Sequence, residues 1–255
     1  MKSLISVIVT TYNEQENIAS CIESARLLTD DIIVVDTEST DNTVNIAKKY
    51  GATVYHFVHR KYVEPSRDFA INKARSEWVL VLDADERLMK NLVNEIVTTV
   101  KITNRTHFKI PRKNFFGKKK WLKYGGWYPD FVTRLIKKSV FIKWPANIHS
   151  TPEIKGEIGY LKNPLIHYSH NSLENMVEKT ALFEDIESTL LYKAGKKPSL
   201  FTFFRKFSGE LTRRFLLKKG FLDGTYGIIE SIYQAYSKTV TYLILYEKNK
   251  KNPHS

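Results

Sequence analysis

Short apolar runs alternate with segments of helical spacing through the first hundred residues, and few folds are compatible with this alternation. The apolar runs lie at 4–9, 31–36, 53–56 and 78–82, and the helical patterns at 14–28, 41–50, 65–74 and 88–100. Strands that alternate with helices across short joints are typical of a parallel sheet wrapped by helices. We therefore expect an α/β fold.

The pattern changes after residue 105. Short strand candidates follow at 106–111, 131–136, 140–142 and 165–168, and helical spacing then dominates at 172–194, 199–219 and 223–248. We predict a sheet domain over 1–170, with halves 1–104 and 105–170. A helical extension should occupy 171–255.

Polar and acidic side chains follow three of the predicted strands. Thr11, Asn13 and Glu14 follow the first, Asp36 the second, and the carboxylates at 83, 85 and 86 the fourth. Ligands of open parallel sheets bind beyond the carboxyl ends of the strands. Crowded carboxylates repel one another, and a divalent cation such as Mg²⁺ or Mn²⁺ relieves that cost. The alternative is a solvated acidic turn before the helix at Leu88.

Charge is unevenly distributed along the chain. The total is +13, but residues 1–100 hold 11 Lys/Arg against 15 Asp/Glu, and residues 101–255 hold 29 against 12. The basic half should face something anionic: phosphates, an acidic lipid surface or nucleic acid. Neither a Gly-x-Gly-x-x-Gly motif after the first strand nor a phosphate-binding loop motif occurs, which argues against a dinucleotide oxidoreductase and a phosphate-loop ATPase.

Four motifs carry a family resemblance: ISVIVTTYNE at 5–14, IVVDTESTDNT at 33–43, WVLVLDADE at 78–86 and YPDFVTRL at 128–135. Together they resemble the family 2 glycosyltransferases, which have the GT-A fold. The bacterial branch that builds lipopolysaccharide core and related surface glycans is the most similar. The resemblance is strong over 1–100 and weaker to about 170.

The resemblance implies a role for each matching residue. A nucleoside would be lined by Thr11, Asn13, Glu14 and Asp36, and Asp83 would touch the ribose or a metal. Asp85 would ligate Mg²⁺ or Mn²⁺, with Asp83 and His149 as further candidate ligands. Arg67 would lie near the nucleotide, although relatives usually follow it with Asn and this chain has Asp68.

The implied reaction is an inverting sugar transfer from a nucleoside diphosphate sugar. Asp36 would accept from the edge of uracil or guanine, with uridine preferred as the nucleoside. The acceptor would be a hydroxyl of a lipopolysaccharide, capsule or other membrane-linked glycan. Loss of the acceptor proton needs a general base, for which Asp130 is the candidate. The alternative for Asp130 is a turn residue paired with Arg134.

The segment 193–219 is a basic amphipathic helix, suited to an anionic membrane surface or to packing on the catalytic domain. The apolar positions of 223–248 favour a docking or homodimer face. No leader or spanning segment is recognisable, so we expect a cytoplasmic protein at the inner face of the membrane. Two other functions stay open: a nucleotidyltransferase on a similar sheet, and a nucleic-acid-binding protein. We expect no nucleic-acid partner, since no known binding signature occurs.

Overall fold

The structure, a computed structural model, describes residues 4–60, 62–147, 150–170 and 173–251. The chain divides into two compact units: unit 1 is 1–112 with 130–167, and unit 2 is 113–129 with 168–255. The segment 113–129 therefore groups with the C-terminal helices, a division that the sequence pattern did not indicate.

Twelve strands form along the described residues. They are β1 Ile5–Thr11, β2 Ile32–Asp36, β3 Thr53–His56, β4 Trp78–Asp83, β5 Glu86–Arg87, β6 His107–Phe116, β7 Lys120–Trp121, β8 Asp130–Lys137, β9 Phe141–Lys143, β10 Glu153–Ile154, β11 Ile158–Tyr160 and β12 Leu165–His170.

Seven α-helices accompany these strands in the described part of the chain. They are α1 Ile18–Arg26, α2 Thr43–Lys49, α3 Glu64–Lys73, α4 Lys90–Ile102, α5 Leu173–Lys193, α6 Leu200–Leu211 and α7 Thr225–Lys251. Pro65 lies in the first turn of α3, where its missing N–H costs nothing. Gly51, with φ +73°, follows the end of α2, where the left-handed conformation favours glycine.

The main sheet has the strand order β3-β2-β1-β4-β8-β6-β12-β5. The first four strands are parallel, and β8 joins antiparallel beside β4. The predicted α/β fold with a mostly parallel sheet and C-terminal helices is confirmed.

Strand register sets the positions of the polar strand ends. In the parallel ladders Thr11 lies opposite Asp36, and Thr10 lies opposite Asp83. Neighbouring strands are about 4.8 Å apart, so the ends of β2 and β4 flank that of β1 at one edge of the sheet. The polar ends of these three strands therefore lie at the same edge of the sheet.

Alternate residues of the central strands fill two cores. Val7 and Val9 of β1 face α1 and α4, together with Leu80 and Leu82 of β4. Ile8 faces the opposite layer, where the buried residues of α3 and Trp144 pack. Strands that are buried on both faces read as continuous apolar runs, which explains the sequence pattern.

Unit 2 has its own small core. Phe116, Leu122 and Met176 are buried in it, with Trp127 and Tyr233 packed against them. The predicted helix 199–219 is α6 followed by a wider π-helical turn, Thr212–Leu217. No helix among the described residues has the length and apolar content to cross a bilayer.

Candidate active site

Asp36 and Thr11 form the β1–β2 side of the site. Both residues are 1% exposed, and Asp36 Oδ2 accepts a hydrogen bond from the Ser39 backbone N–H at 3.0 Å. Asp36 Oδ1 and Thr11 Oγ1 are buried and have no hydrogen-bond partner among the described residues. Buried polar atoms are rarely left in this state, so these two oxygens are candidates for contact with a ligand.

Asn13 and Glu14 join the loops that follow β1 and β2. The Asn13 backbone N–H donates to Ser39 Oγ at 2.8 Å, and Asn13 Oδ1 accepts from the Thr40 backbone N–H at 2.8 Å. The Glu14 backbone N–H donates to Thr43 Oγ1 at 2.8 Å. Asn13, at φ +51°, takes a left-handed conformation that Asn tolerates better than most residues. Both residues therefore shape the edge on which Asp36 lies.

Tyr12 and His59 form a stacked pair that the sequence did not reveal. Their ring centroids lie 4.0 Å apart with an interplanar angle of 28°, and Tyr12 is exposed. The His59 backbone N–H donates to Glu38 Oε2 at 3.2 Å. An exposed aromatic face beside Thr11 offers a planar surface for a ring.

Asp83, at the end of β4, lies between two arginines. Oδ1 accepts from Arg67 Nη2 at 2.6 Å, and Oδ2 accepts from Arg134 Nη2. Burial raises the pKa of Asp83, but Arg134, Arg67 and Arg112 lower it by more, so the pKa lies well below its ordinary value. Both oxygens of this predicted metal ligand are therefore engaged by guanidinium groups.

Glu86 links the β4 end to β6 and β8. It is fully buried, and its Oε1 accepts from Arg134 Nη2 at 2.8 Å and from Arg112 Nη1 at 3.3 Å. Its Oε2 accepts from the Asp83 backbone N–H at 3.1 Å. Burial lowers the pKa of Arg112, but Glu86 and Asp130 raise it by more, and the guanidinium stays charged.

Asp130 pairs with Arg112 and not with Arg134, the partner considered from the sequence. Arg112 donates to Asp130 Oδ2 from Nε at 2.9 Å and from Nη2 at 2.7 Å. Arg134 is drawn to Asp83 and Glu86 because its side chain lies buried between them. The candidate base thus joins an alternating chain of three carboxylates and three guanidinium groups.

Arg67 and Asp68 tie α3 to the segment around Trp144. The Arg67 guanidinium lies 4.9 Å from the centre of the Trp144 ring, and Asp68 Oδ1 accepts from the Trp144 backbone N–H at 2.8 Å. Asp68, the departure from the family pattern, therefore has a structural role, since it holds the ring on which Arg67 stacks.

Asp85 lies beside His167, with Oδ2 3.4 Å from Nε2, and both side chains are largely buried. The described residues contain no group of three or more His, Cys, Asp or Glu side chains placed to hold a metal. His149 lies outside the described residues. One carboxylate and one imidazole still fit Mg²⁺ or Mn²⁺, because such ions commonly take one or two protein ligands and complete their shell with phosphate oxygens and water.

A cavity of about 290 Å³ opens beside β4, β8 and β6. Four cations and two carboxylates line it: Arg67, Lys109, Arg112, Arg134, Glu64 and Asp83. Phe131 and Trp144 supply aromatic walls, and Ser150 and Thr151 supply hydroxyls. Asp130, the first residue of β8, directly precedes Phe131 of the cavity wall. The cavity therefore has the size and polarity for a sugar-sized polar ligand.

The same chain matches known proteins over most of its length. A glycosyltransferase of Rickettsia prowazekii (strain Madrid E) is 32% identical over 251 residues, which cover 92% of this chain and 84% of that protein. One from Rickettsia conorii is 30% identical over 260 residues, covering 97% and 92%. Neither relative is characterised.

The crystal structure of S. aureus TarS 1–349 in complex with UDP-GlcNAc has a TM-score of 0.53, with 15% identity, and covers 97% of this chain and 92% of that one. This likeness shows the fold, that of the GT-A enzymes. The model of glycosyl transferase family 2 matches residues 6–152, more than half of the chain. The chain therefore belongs to glycosyl transferase family 2, and the protein is a glycosyltransferase.

Proposed function

We propose that this enzyme moves a sugar from a UDP-linked donor to a hydroxyl of a lipopolysaccharide, capsule or other membrane-linked glycan, with inversion at the anomeric carbon. Two features at one edge of the sheet support the proposal. Buried acceptor oxygens lie on the β1–β2 side, and the guanidinium–carboxylate chain that ends on Asp130 lies on the β4–β8 side.

The nucleoside half of the donor fits the β1–β2 side. The Asp36 carboxylate accepts hydrogen bonds only, which suits the N3–H of uracil. Tyr12, exposed and stacked on His59, provides a flat surface for the base. The likeness to TarS, whose structure holds UDP-GlcNAc, supports uridine as the nucleoside.

The diphosphate belongs near the β4 end. Asp85 and His167 would hold a divalent ion there, with Mg²⁺ or Mn²⁺ as the fitting choices. Such an ion neutralises the charge that develops on a diphosphate leaving group. On the other side of this strand end, Arg67 pairs with Asp83, and both side chains line the cavity.

Asp130 is the general base of this proposal. The acceptor hydroxyl oxygen bonds to the anomeric carbon while the bond from that carbon to the phosphate oxygen breaks. The electron pair leaves with UDP, and the hydroxyl proton passes to the Asp130 carboxylate. Attack from the face opposite UDP inverts the anomeric centre. Arg112, with two N–H groups on one oxygen of Asp130, orients the carboxylate for this transfer.

The acceptor and the location complete the proposal. A glycan carried on lipid would be extended at the cytoplasmic face of the membrane, where UDP-sugars are made.

The exposed side chains of Ile228, Ile232, Tyr236 and Leu243 recur along one face of α7 and support a homodimer contact through the C-terminal helices.

A screen of nucleotide sugars tests the proposed donor. We expect slow Mn²⁺-stimulated hydrolysis of one UDP-sugar, measured as released UDP, and a loss of about 100-fold or more in Asp85→Ala. Asp185→Ala is the matched control, since Asp185 is a surface carboxylate paired with Lys248. Unchanged hydrolysis in Asp85→Ala would show that Asp85 has no role in the mechanism. Hydrolysis of a GDP-sugar in place of a UDP-sugar would show that the nucleoside is guanosine and not uridine.

A further inference from the structure

We propose that the outer face of residues 200–217 docks unit 2 on an anionic lipid bilayer. Two apolar pairs would enter the bilayer interface, Phe201 with Phe204 and Leu216 with Leu217. The inference deepens the proposed function and rests on it for the membrane-linked acceptor. It also defines which side of the basic segment 193–219 meets the lipid.

The helix α6 has distinct inner and outer sides. On the inner side, Phe203 packs edge-on against Tyr246 of α7, with ring centroids 6.0 Å apart, and Lys206 lies over the Tyr242 ring at 4.6 Å. On the outer side, Phe201 and Phe204 are 73% and 74% exposed. Aromatic side chains so exposed are costly in water unless another surface covers them.

Seven exposed positions form one stripe along the helix, whereas Phe207, 39% exposed, lies off it. They recur at intervals of three and four residues, at Phe201, Phe204, Arg205, Ser208, Gly209, Thr212 and Leu216. This spacing places them on a single face. The stripe is about 20 Å long, and Leu217, 75% exposed, adds to its far end. A face of this length can lie flat on a bilayer.

Cations flank both apolar pairs. Lys193, Lys196 and Lys197 precede α6, and Arg205 lies one turn after Phe201, with Lys218 and Lys219 after Leu217. All six are exposed, and none forms an ion pair with the described residues. Within 193–219 the sequence has a single acidic residue, Glu210, and its carboxylate binds Arg213 and Arg214.

Either a bilayer or a second copy of the chain could cover this face, and the exposed cations favour the bilayer. A twofold contact would bring the same patch of both copies together and so set uncompensated cations opposite each other. Anionic headgroups pair with these cations instead, and the interface accepts the aromatic rings. The face therefore complements an anionic membrane.

Flotation of the full chain with vesicles tests the inference. We expect binding to phosphatidylcholine vesicles that contain phosphatidylglycerol, weak binding to pure phosphatidylcholine, and release by salt. Phe201→Ser with Phe204→Ser should lower the partition coefficient at least about tenfold. Lys196→Ser with Lys197→Ser should lower it about 25-fold, since each cation near the surface contributes about fivefold.

Ile102→Ser is the matched control because Ile102, on α4, is 78% exposed and lies outside the proposed face. Its vesicle binding should equal that of the wild type.

Hydrolysis of the UDP-sugar in solution should be unchanged in all variants, so a failure of the donor proposal is distinguishable from a failure of docking. The inference would be overturned if the wild-type protein did not bind anionic vesicles. It would also be overturned if the variant Phe201→Ser with Phe204→Ser bound them as strongly as the wild type. A dimer in sedimentation velocity that Phe201→Ser with Phe204→Ser dissociates would identify a second copy as the occupant and overturn it too.

Discussion

Arg112 and Asp130 are direct cross-strand partners of β6 and β8, and two N–H groups of Arg112 converge on Asp130 Oδ2. Partners in an antiparallel pair are held about 5 Å apart by the ladder itself. The position of the candidate base is therefore set by sheet register. A carboxylate fixed in this way can accept a proton without a preceding loop movement.

Asp130→Asn should keep nucleotide binding and lose sugar transfer. An amide oxygen can still accept from Arg112, but the amide cannot take the proton of the acceptor hydroxyl. We expect kcat to fall by about 100- to 10,000-fold, with the Kd for UDP within about twofold of the wild-type value. Transfer kinetics and calorimetric UDP titration measure the two quantities.

A loss of UDP binding in Asp130→Asn would show that Asp130 belongs to the donor site and that another group is the base. Asp185→Asn provides the control for a surface carboxylate with a single lysine partner.

Glu86→Gln should destabilise the fold. Glu86 is fully buried and offsets the charges of Arg112 and Arg134, so its neutralisation leaves the buried guanidinium group of Arg134 and the partly buried one of Arg112 undercompensated. We expect the free energy of unfolding to fall by about 2–4 kcal/mol, measured by urea denaturation. Glu77→Gln, which removes a half-exposed partner of Lys137, should change it by less than about 0.5 kcal/mol. Equal effects of the two substitutions would contradict the linking role of Glu86.

Stability should fall on acidification, with a contribution from Asp83. The pKa of Asp83 is lowered in the folded state, whereas the unfolded value is about 3.9. The stabilisation is therefore complete above about pH 5 and is lost as the pH falls towards and below the unfolded pKa. In Asp83→Asn the free energy of unfolding should be lower at pH 7. Its acid slope should be shallower by up to about 1.4 kcal/mol per pH unit. Parallel acid slopes in the two proteins would contradict this assignment.

Cys21 should be inert in the folded protein. Burial raises the pKa of its thiol to about 12, and the thiol donates to the Asp83 carbonyl oxygen at 3.6 Å. Because only the thiolate attacks a disulfide reagent, we expect negligible reaction at pH 8 and one equivalent after unfolding in urea. Rapid labelling of the native protein would mean that this end of β4 opens readily.

The sequence predicted the parallel half of unit 1 well because buried strands and amphipathic helices leave local patterns. The predicted strand 53–56 coincides with β3. The bounds of the predicted strands 31–36 and 78–82 differ by one residue from those of β2 and β4. Asp36, Asp83 and Asp85 could be placed at one edge because parallel strands align their carboxyl ends. The local sequence pattern was therefore enough to predict both the strands and the shared edge.

The guanidinium network could not be read from the sequence because it depends on contacts between distant segments. The predicted strands 106–111 and 131–136 each stopped one residue short of the pair Arg112 and Asp130. A register shift in β6 between Phe108 and Lys109 sets which residues face each other there, and nothing local marks it. The stack of Tyr12 on His59 likewise joins two loops that only the fold brings together.

Calorimetric titration of UDP into wild-type, Asp36→Ala and Asp85→Ala protein, with and without Mn²⁺, tests whether the strand ends hold the nucleotide and the metal. We expect Mn²⁺ to strengthen UDP binding by the wild type, Asp36→Ala to bind UDP at least about tenfold more weakly, and Asp85→Ala to lose the effect of Mn²⁺. Equal affinities in all three proteins, with the same response to Mn²⁺, would contradict a nucleotide-sugar site at the ends of β1, β2 and β4.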